Sequence, residues 1–197
     1  MTTDLTALLG HPATEVAPRL LGAVLHGRGV SVRLTEVEAY LGEQDPGSHA
    51  FRGPTPRTAT MFGPPGRLYV YFTYGMHVCA NVVCGPEGVA TAVLLRAGEV
   101  VDGVDLVRAR RTTSRSDRDL ARGPARLCVA LGITLADDGA ALGEEFRLDL
   151  APHPAHEVVT GPRTGVSGDG GTDAYPWRFH LPGEPTVSPY KRAVRRR

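Results

Sequence analysis

The chain reads as an α+β protein, a single domain in which antiparallel strands outnumber helices. Three observations predict this. Its 197 residues suffice for one sizeable core and are few for two. Runs rich in valine, leucine and tyrosine recur between short connections marked by glycine and proline. Such connections suit hairpins better than the long crossovers of a parallel sheet. No internal repeat or interdomain linker interrupts residues 1–197, so one domain is expected, with a short flexible N-terminus and a basic C-terminal tail.

The elements follow in order. Val16, Leu20, Leu21, Val24 and Leu25 recur at helical spacing and predict a helix over 15–26, capped by Thr14 and ended near Gly27 and Gly29. Pro18 is tolerable there only near the first turn. A strand is predicted from Val30 to Tyr40. Residues 42–66, rich in glycine and proline, read as a long ordered loop, a feature that is often functional. Strands at 68–74, 78–83 and 89–97 enclose a turn at 84–88. Helices are expected near 102–112 and 123–131, and short strands at 146–150 and 177–181. The five glycines between Gly161 and Gly171 predict a mobile loop over 161–175.

Composition excludes several classes. Hydrophobic residues make up 42% and charged residues 22%, as in soluble globular proteins. No apolar run is long enough to span a bilayer, and the first residues lack the pattern of a secretory signal. Three cysteines without a CxxC pair argue against a disulfide framework or zinc ribbon, and fit a reducing cytoplasm. The histidines show no metal spacing; His153 and His156, set among prolines, read as loop residues. No phosphate loop, GxGxxG or GxSxG is present.

Net charge is only +1, but its distribution is uneven. Between Val107 and Leu127 lie seven arginines against two aspartates, a local +5. Arg108, Arg110, Arg111 and Arg126 are the members singled out as phosphate contacts. Lys191 to Arg197 adds five basic residues and no acid. Clusters of this kind hold phosphates, or form solvated faces and frayed ends.

Two groups of side chains carry possible chemistry. Alternation along the 30–40 strand places Glu36, Glu38 and Tyr40 on the face of Val30, Val32 and Leu34. The carboxylates then run from core into a pocket, unless a bulge or edge turns them to water. Tyr69 and Tyr71 share a face of the next strand, opposite Leu68, Val70 and Phe72, and Tyr74 falls at the turn marked by Gly75. Tyrosines there either pack a core or stack a base.

The segments EVEAYLGEQDPGSH (36–49), TPRTATMFGPPGRLYVYFTYGMHVCANVV (55–83) and AVLLRAGE (92–99) resemble the alkyladenine (3-methyladenine) DNA glycosylase family. The later GPARLCVALGI (123–133), RTGVSG (163–168) and PWRFHLPGEPTVS (176–188) are similar to its looser segments. The resemblance implies a curved antiparallel sheet, like the C-terminal domain of formyltransferases, with surrounding helices. It implies that Glu38 is the general base and Glu36 a neighbour. It implies that Tyr40 stacks on a flipped base, with His49 and Tyr71 on the other side. Tyr74 would fill the gap in the duplex, Asn81 would exclude the exocyclic amine of guanine, and Arg96 would hold Glu38 and nearby DNA. Tyr69 is expected to be structural. Thr58 departs from the pattern, where asparagine is expected.

The function so implied is base excision. Double-stranded DNA with a damaged purine (3-methyladenine, 7-methylguanine, hypoxanthine or ethenoadenine) is the partner, and a monomer is expected to act without metal or cofactor. Water attacks, and the strand stays uncut, because Lys191 is the sole lysine and lies in the basic tail. Two other readings are a catalytically silent lesion binder, which base release would exclude, and a binding module that shares only the sheet.

Overall fold

The computed structural model describes residues 3–73 and 75–193. Two short helices, α1 (Thr3–Leu9) and α2 (Ala13–Leu20), precede the first hairpin, β1 (Val24–Gly27) and β2 (Val30–Tyr40). After the long loop come β3 (Leu68–Thr73), β4 (His77–Val83) and β5 (Ala92–Asp102). Then follow α3 (Val104–Arg110), α4 (Pro124–Leu131), β6 (Phe146–Asp149), β7 (Val159–Gly161) and β8 (Arg178–His180). The strands form one antiparallel sheet of order β3-β4-β5-β2-β1-β6, with β8 against the second half of β2 and β7 outside it. The α+β class and antiparallel pairing are as the sequence predicts.

The predicted 15–26 helix divides in two. It stops at Leu20, and Leu21 is already extended. Val24 and Leu25 pair with Arg33 and Val32 of β2. Leu21, Ala23 and Leu25 are buried in alternation, so their spacing satisfies a strand as well as a helix, and the ladder to β2 decides between them. The cap position is Pro12, without a side-chain cap, and Thr14 lies inside the helix. Gly27 and Val30 face each other across a two-residue turn, with positive φ at Arg28 (48°) and Gly29 (78°). That turn matches the right-handed twist of the strands it joins. The predicted 89–97 strand runs instead from Ala92 to Asp102, and α1 and β7 had no counterpart in the sequence reading.

β2 is the backbone of the site, and its faces are not as simple alternation predicts. Its register against β5 shifts between Leu34 and Glu36, and again between Glu36 and Val37. The extra residue reverses the alternation. Val30, Val32 and Leu34, then Val37 and Ala39, all enter the main core. Glu36 and Glu38 therefore leave the face of Leu34, correcting the expectation that they share it. They do not turn to water either, for both are fully buried.

The two faces of the sheet carry different cores. Leu68, Val70, Val82, Val93 and Leu95 pack with Leu127, Cys128 and Leu131 of α4 and with α2. Fully burying each such aliphatic side chain contributes about 1.5–3 kcal/mol. A smaller cluster of Ala50, Met61, Tyr69, Val83, Ala90 and Ala92 lies under the 42–66 loop, with Tyr71 against it.

The 161–175 segment is not the free loop that its glycines predict. Arg163 is fully buried, donates to the Gly170 and Ala39 carbonyls, and pairs with Asp45. Gly47 is packed so closely under the Arg163 guanidinium that a Cβ there would collide with it. Gly170, against Gly47, and Gly171, against the Val166 carbonyl, are equally close, so these two glycines of the segment permit close approach.

Candidate active site

Register assembles the site. Glu38 of β2 faces Leu94 of β5, Leu94 faces Asn81 of β4, and Asn81 faces Tyr69 of β3. Directly paired residues point to the same side of a sheet, so one row crosses four strands. That row floors a cavity of about 280 Å³, whose walls include Tyr40, His49, Tyr71, Arg96 and Thr164. Its size is near the lower end for a small-molecule pocket.

Glu38 has donors on both oxygens. The Thr164 amide donates to Oε1 at 2.7 Å, and the Tyr40 hydroxyl donates to Oε2 at 2.9 Å. Arg96 Nη1 lies 3.4 Å from Oε1. Burial, then the charge of Glu38, pushes the Tyr40 hydroxyl well above its ordinary pKa, so Tyr40 is a neutral donor. Behind its ring the Arg163 guanidinium stacks at 4.5 Å, and on Trp177 at 5.2 Å.

Glu36 is differently placed. Its Oε1 accepts from Arg178 Nε at 2.6 Å, Arg96 Nε at 2.9 Å and Ser188 Oγ at 3.0 Å; its Oε2 accepts from the Ser188 amide at 2.7 Å. Burial pushes its pKa up, but Arg96, Arg178 and the Ser188 amide outweigh that and hold it below the ordinary range. Glu36 is a structural anion, and Arg96 is shared between it and Glu38. Burial pulls the Arg96 pKa down, and the two carboxylates more than restore it.

The aromatic wall is built from β3 and the long loop. Tyr69 and Tyr71 stack with centroids 5.3 Å apart, and His49 meets the edge of Tyr71 at 4.6 Å. Burial around the His49 ring, then the Arg57 charge, lowers its pKa to about 4, although the residue as a whole is exposed. It is therefore neutral near pH 7. Burial raises Tyr71 as well. Asn81 is buried, and its Oδ1 has no hydrogen-bond partner among the described residues. Thr58 is buried and bonds Thr55, closing the loop where asparagine was expected.

Glu38, Tyr40, His49, Tyr71, Asn81 and Arg96 thus meet in one cavity, while Tyr74 lies outside the described residues. The arginine cluster does not line that cavity, although Pro124 at the start of α4 does. Arg108 is exposed and pairs with Asp105 and Asp117, and Arg126 lies 3.5 Å from Asp119. Arg110 donates to the Ala130 and Arg28 carbonyls, and Arg111 to the Leu120 carbonyl.

Sequence reasoning missed Thr164, whose contribution to Glu38 is a main-chain amide. It also missed Arg163 with Asp45, and Arg178 with Ser188, although all four lie inside the segments that carry the family resemblance. Lys191 is nearer the site than a loose tail implies: its carbonyl accepts from Gly165, a cavity residue, at 3.1 Å. Among the described residues no cluster of three or more His, Cys, Asp or Glu could hold a metal. No helix there is long and apolar enough to cross a membrane.

Comparison with known proteins agrees with this geometry. The family model for methylpurine-DNA glycosylase matches residues 7–185. A protein of Leifsonia xyli, provisionally named a 3-methyladenine DNA glycosylase, is 64% identical over 188 residues, covering 90% of this chain and 88% of its own. Proteins of the same provisional name from Streptomyces avermitilis (55% identical, 94% of this chain and 91% of its own) and Burkholderia lata (51%, 92% and 89%) are also similar. With its whole sheet and cavity inside the matched span, the chain belongs to the methylpurine-DNA glycosylase family.

Proposed function

We propose that this protein is a monofunctional DNA glycosylase that extrudes a damaged purine from duplex DNA and hydrolyses its bond to the sugar. The observation that carries this reading is Glu38, buried at the floor of an aromatic cavity and fixed by the Thr164 amide and the Tyr40 hydroxyl. A base within a duplex hides its glycosidic bond, so it must be flipped out, at a cost of a few kcal/mol that is least for a poorly paired lesion.

Tyr40 stacks on one face of the flipped base, with Tyr71 and His49 on the other side. Alkylation that makes a purine cationic strengthens its attraction to these rings and improves it as a leaving group. A neutral His49 adds no repelling charge. Glu38 takes a proton from a water aimed at the anomeric carbon. The water oxygen bonds to the anomeric carbon as the C–N bond breaks; a cationic alkylated base leaves neutral with the bonding pair, a neutral lesion must also gain a proton as it departs, and carboxylate charge stabilises the oxocarbenium-like transition state. Arg96 keeps Glu38 in place. Asn81 takes the room that the exocyclic amine of guanine would need, and Tyr74 fills the vacated stack.

Duplex DNA carrying 3-methyladenine, 7-methylguanine, hypoxanthine or ethenoadenine is the substrate class. Arg108, Arg110, Arg111 and Arg126 are the phosphate contacts. The protein acts as a monomer in the cytoplasm, with no cofactor called on by these steps. The test is incubation with duplexes each bearing one such lesion, followed by detection of abasic sites. Release from at least one is expected, and binding without release from any would leave a lesion-binding protein instead.

A further inference from the structure

His49 lines the cavity and turns its Nδ1 toward the protein. Its Nδ1 lies 3.1 Å from the Tyr69 hydroxyl, and the two rings meet edge to face. Tyr69 is buried, so its O–H must find an acceptor. The Arg57 charge acts on the same phenol and draws its pKa down, but a guanidinium only donates. Asp138 is the nearby acid, yet its oxygens accept from the Val70 amide and the Thr60 hydroxyl, both at 2.9 Å. The acceptor that the Tyr69 hydroxyl meets is His49 Nδ1.

We propose that Tyr69, itself polarised by Arg57, is a positioning residue that locks His49 in its Nε2–H tautomer, so that the cavity wall presents a neutral N–H donor. The opposite tautomer would direct Nδ1–H and Arg57 together at one phenol oxygen and strand a buried hydroxyl proton, the costly alternative. The ring carries one proton near neutrality, since crowding and Arg57 disfavour the imidazolium. Tyr69 thus has a second task beyond packing against Met61 and Tyr71. The ligand chemistry this selects is a hydrogen-bond acceptor on the flipped nucleotide. That consequence rests on the proposed function, whereas the tautomer is a property of the free protein.

The experiment is long-range ¹H–¹⁵N correlation of the free, ¹⁵N-labelled protein at pH 7, for wild type and Tyr69→Phe, with base release measured alongside. In the wild type His49 should show a bare, pyridine-like Nδ1 and a protonated Nε2. Tyr69→Phe keeps the ring and deletes the hydroxyl, and should lower the Nε2–H to Nδ1–H ratio by about threefold or more. A protonated Nδ1 in the wild type overturns the proposal without any variant. An unchanged ratio in folded Tyr69→Phe also overturns it; should that variant not fold, Arg57→Met must lower the ratio or the Arg57 link fails. A locked tautomer in a protein that releases no base upholds this inference and sinks the proposed function.

Discussion

Glu38 and Tyr40 stand two residues apart on one face of β2 and are joined by a hydrogen bond of 2.9 Å from the phenol to the carboxylate. The proposed base and the proposed stacking ring are therefore one unit. Tyr40→Phe keeps the ring and removes the donor. A hydrogen bond to a charged group is worth about 1.5–3 kcal/mol, so the single-turnover rate should fall about 10- to 100-fold while lesion binding persists. An unchanged rate would reduce the contact to packing.

Glu38→Gln and Glu36→Gln should fail differently. Losing a general base costs about 10²–10⁴-fold in rate, so Glu38→Gln should bind lesions and hardly release them. Glu36→Gln leaves Arg96 and Arg178 buried without their shared anion, which should lower stability by about 3–5 kcal/mol. Base release and urea unfolding, measured on both, separate the roles. Near wild-type release by Glu38→Gln, with none by a folded Glu36→Gln, would exchange them.

Asn81→Gly should raise the release of undamaged guanine. Asn81 projects from the floor between Leu94 and Tyr69, and shortening it makes room for an exocyclic amine. Guanine release from unmodified duplex is the measurement. No increase in a folded variant removes Asn81 from the selectivity.

Stability should fall with acid in two stages. Folded His49 stays neutral down to about pH 4, whereas the unfolded side chain takes a proton below about 6.5. Its contribution is complete above 6.5 and is lost as pH falls from there to about 4. Glu36, whose folded pKa is depressed, contributes above its unfolded 4.5 and loses that only as pH falls through the lower folded value. Solvent reaching His49 through the cavity tempers the first stage. Urea unfolding against pH should show a shallower slope between 4 and 6.5 for His49→Gln than for wild type; equal slopes would refute the His49 contribution.

Excision should leave the strand uncut, although Lys191 is closer to the cavity than its sequence position implies. The Lys191 carbonyl is tied to Gly165, but its side chain is exposed, which is poor preorganisation for a nucleophile. Borohydride trapping on lesion-bearing duplex should yield no covalent complex. A complex that disappears in Lys191→Arg would make Lys191 an attacking amine and the water mechanism incomplete.

Much of the frame was legible. The bounds of β2 follow from its run of branched and alternating residues, and the helix at 123–131 follows from Pro124 and the apolar residues after it. Cavity membership of Glu38, Tyr40, His49, Tyr71, Asn81 and Arg96 was reached through family resemblance; spacing alone left both glutamates undecided between pocket and solvent. Val24 and Leu25 were misread because a buried strand and a helix face share that short pattern.

The sequence by itself determined the class of fold, the hairpin of β4 and β5 and the family, because these rest on local alternation, turn residues and contiguous motifs. Only the tertiary structure decided which way the carboxylates face. The shift after Leu34 depends on how β2 meets β5, and no local pattern records a bulge. It also decided that Gly170 and Gly171 are points of close contact. Asp45 and Arg163 lie 118 residues apart, and their fully buried pair closes the loop that brings the Thr164 amide to Glu38. A main-chain amide has no side-chain signature, so its part in the site exists only once the chain has folded around it.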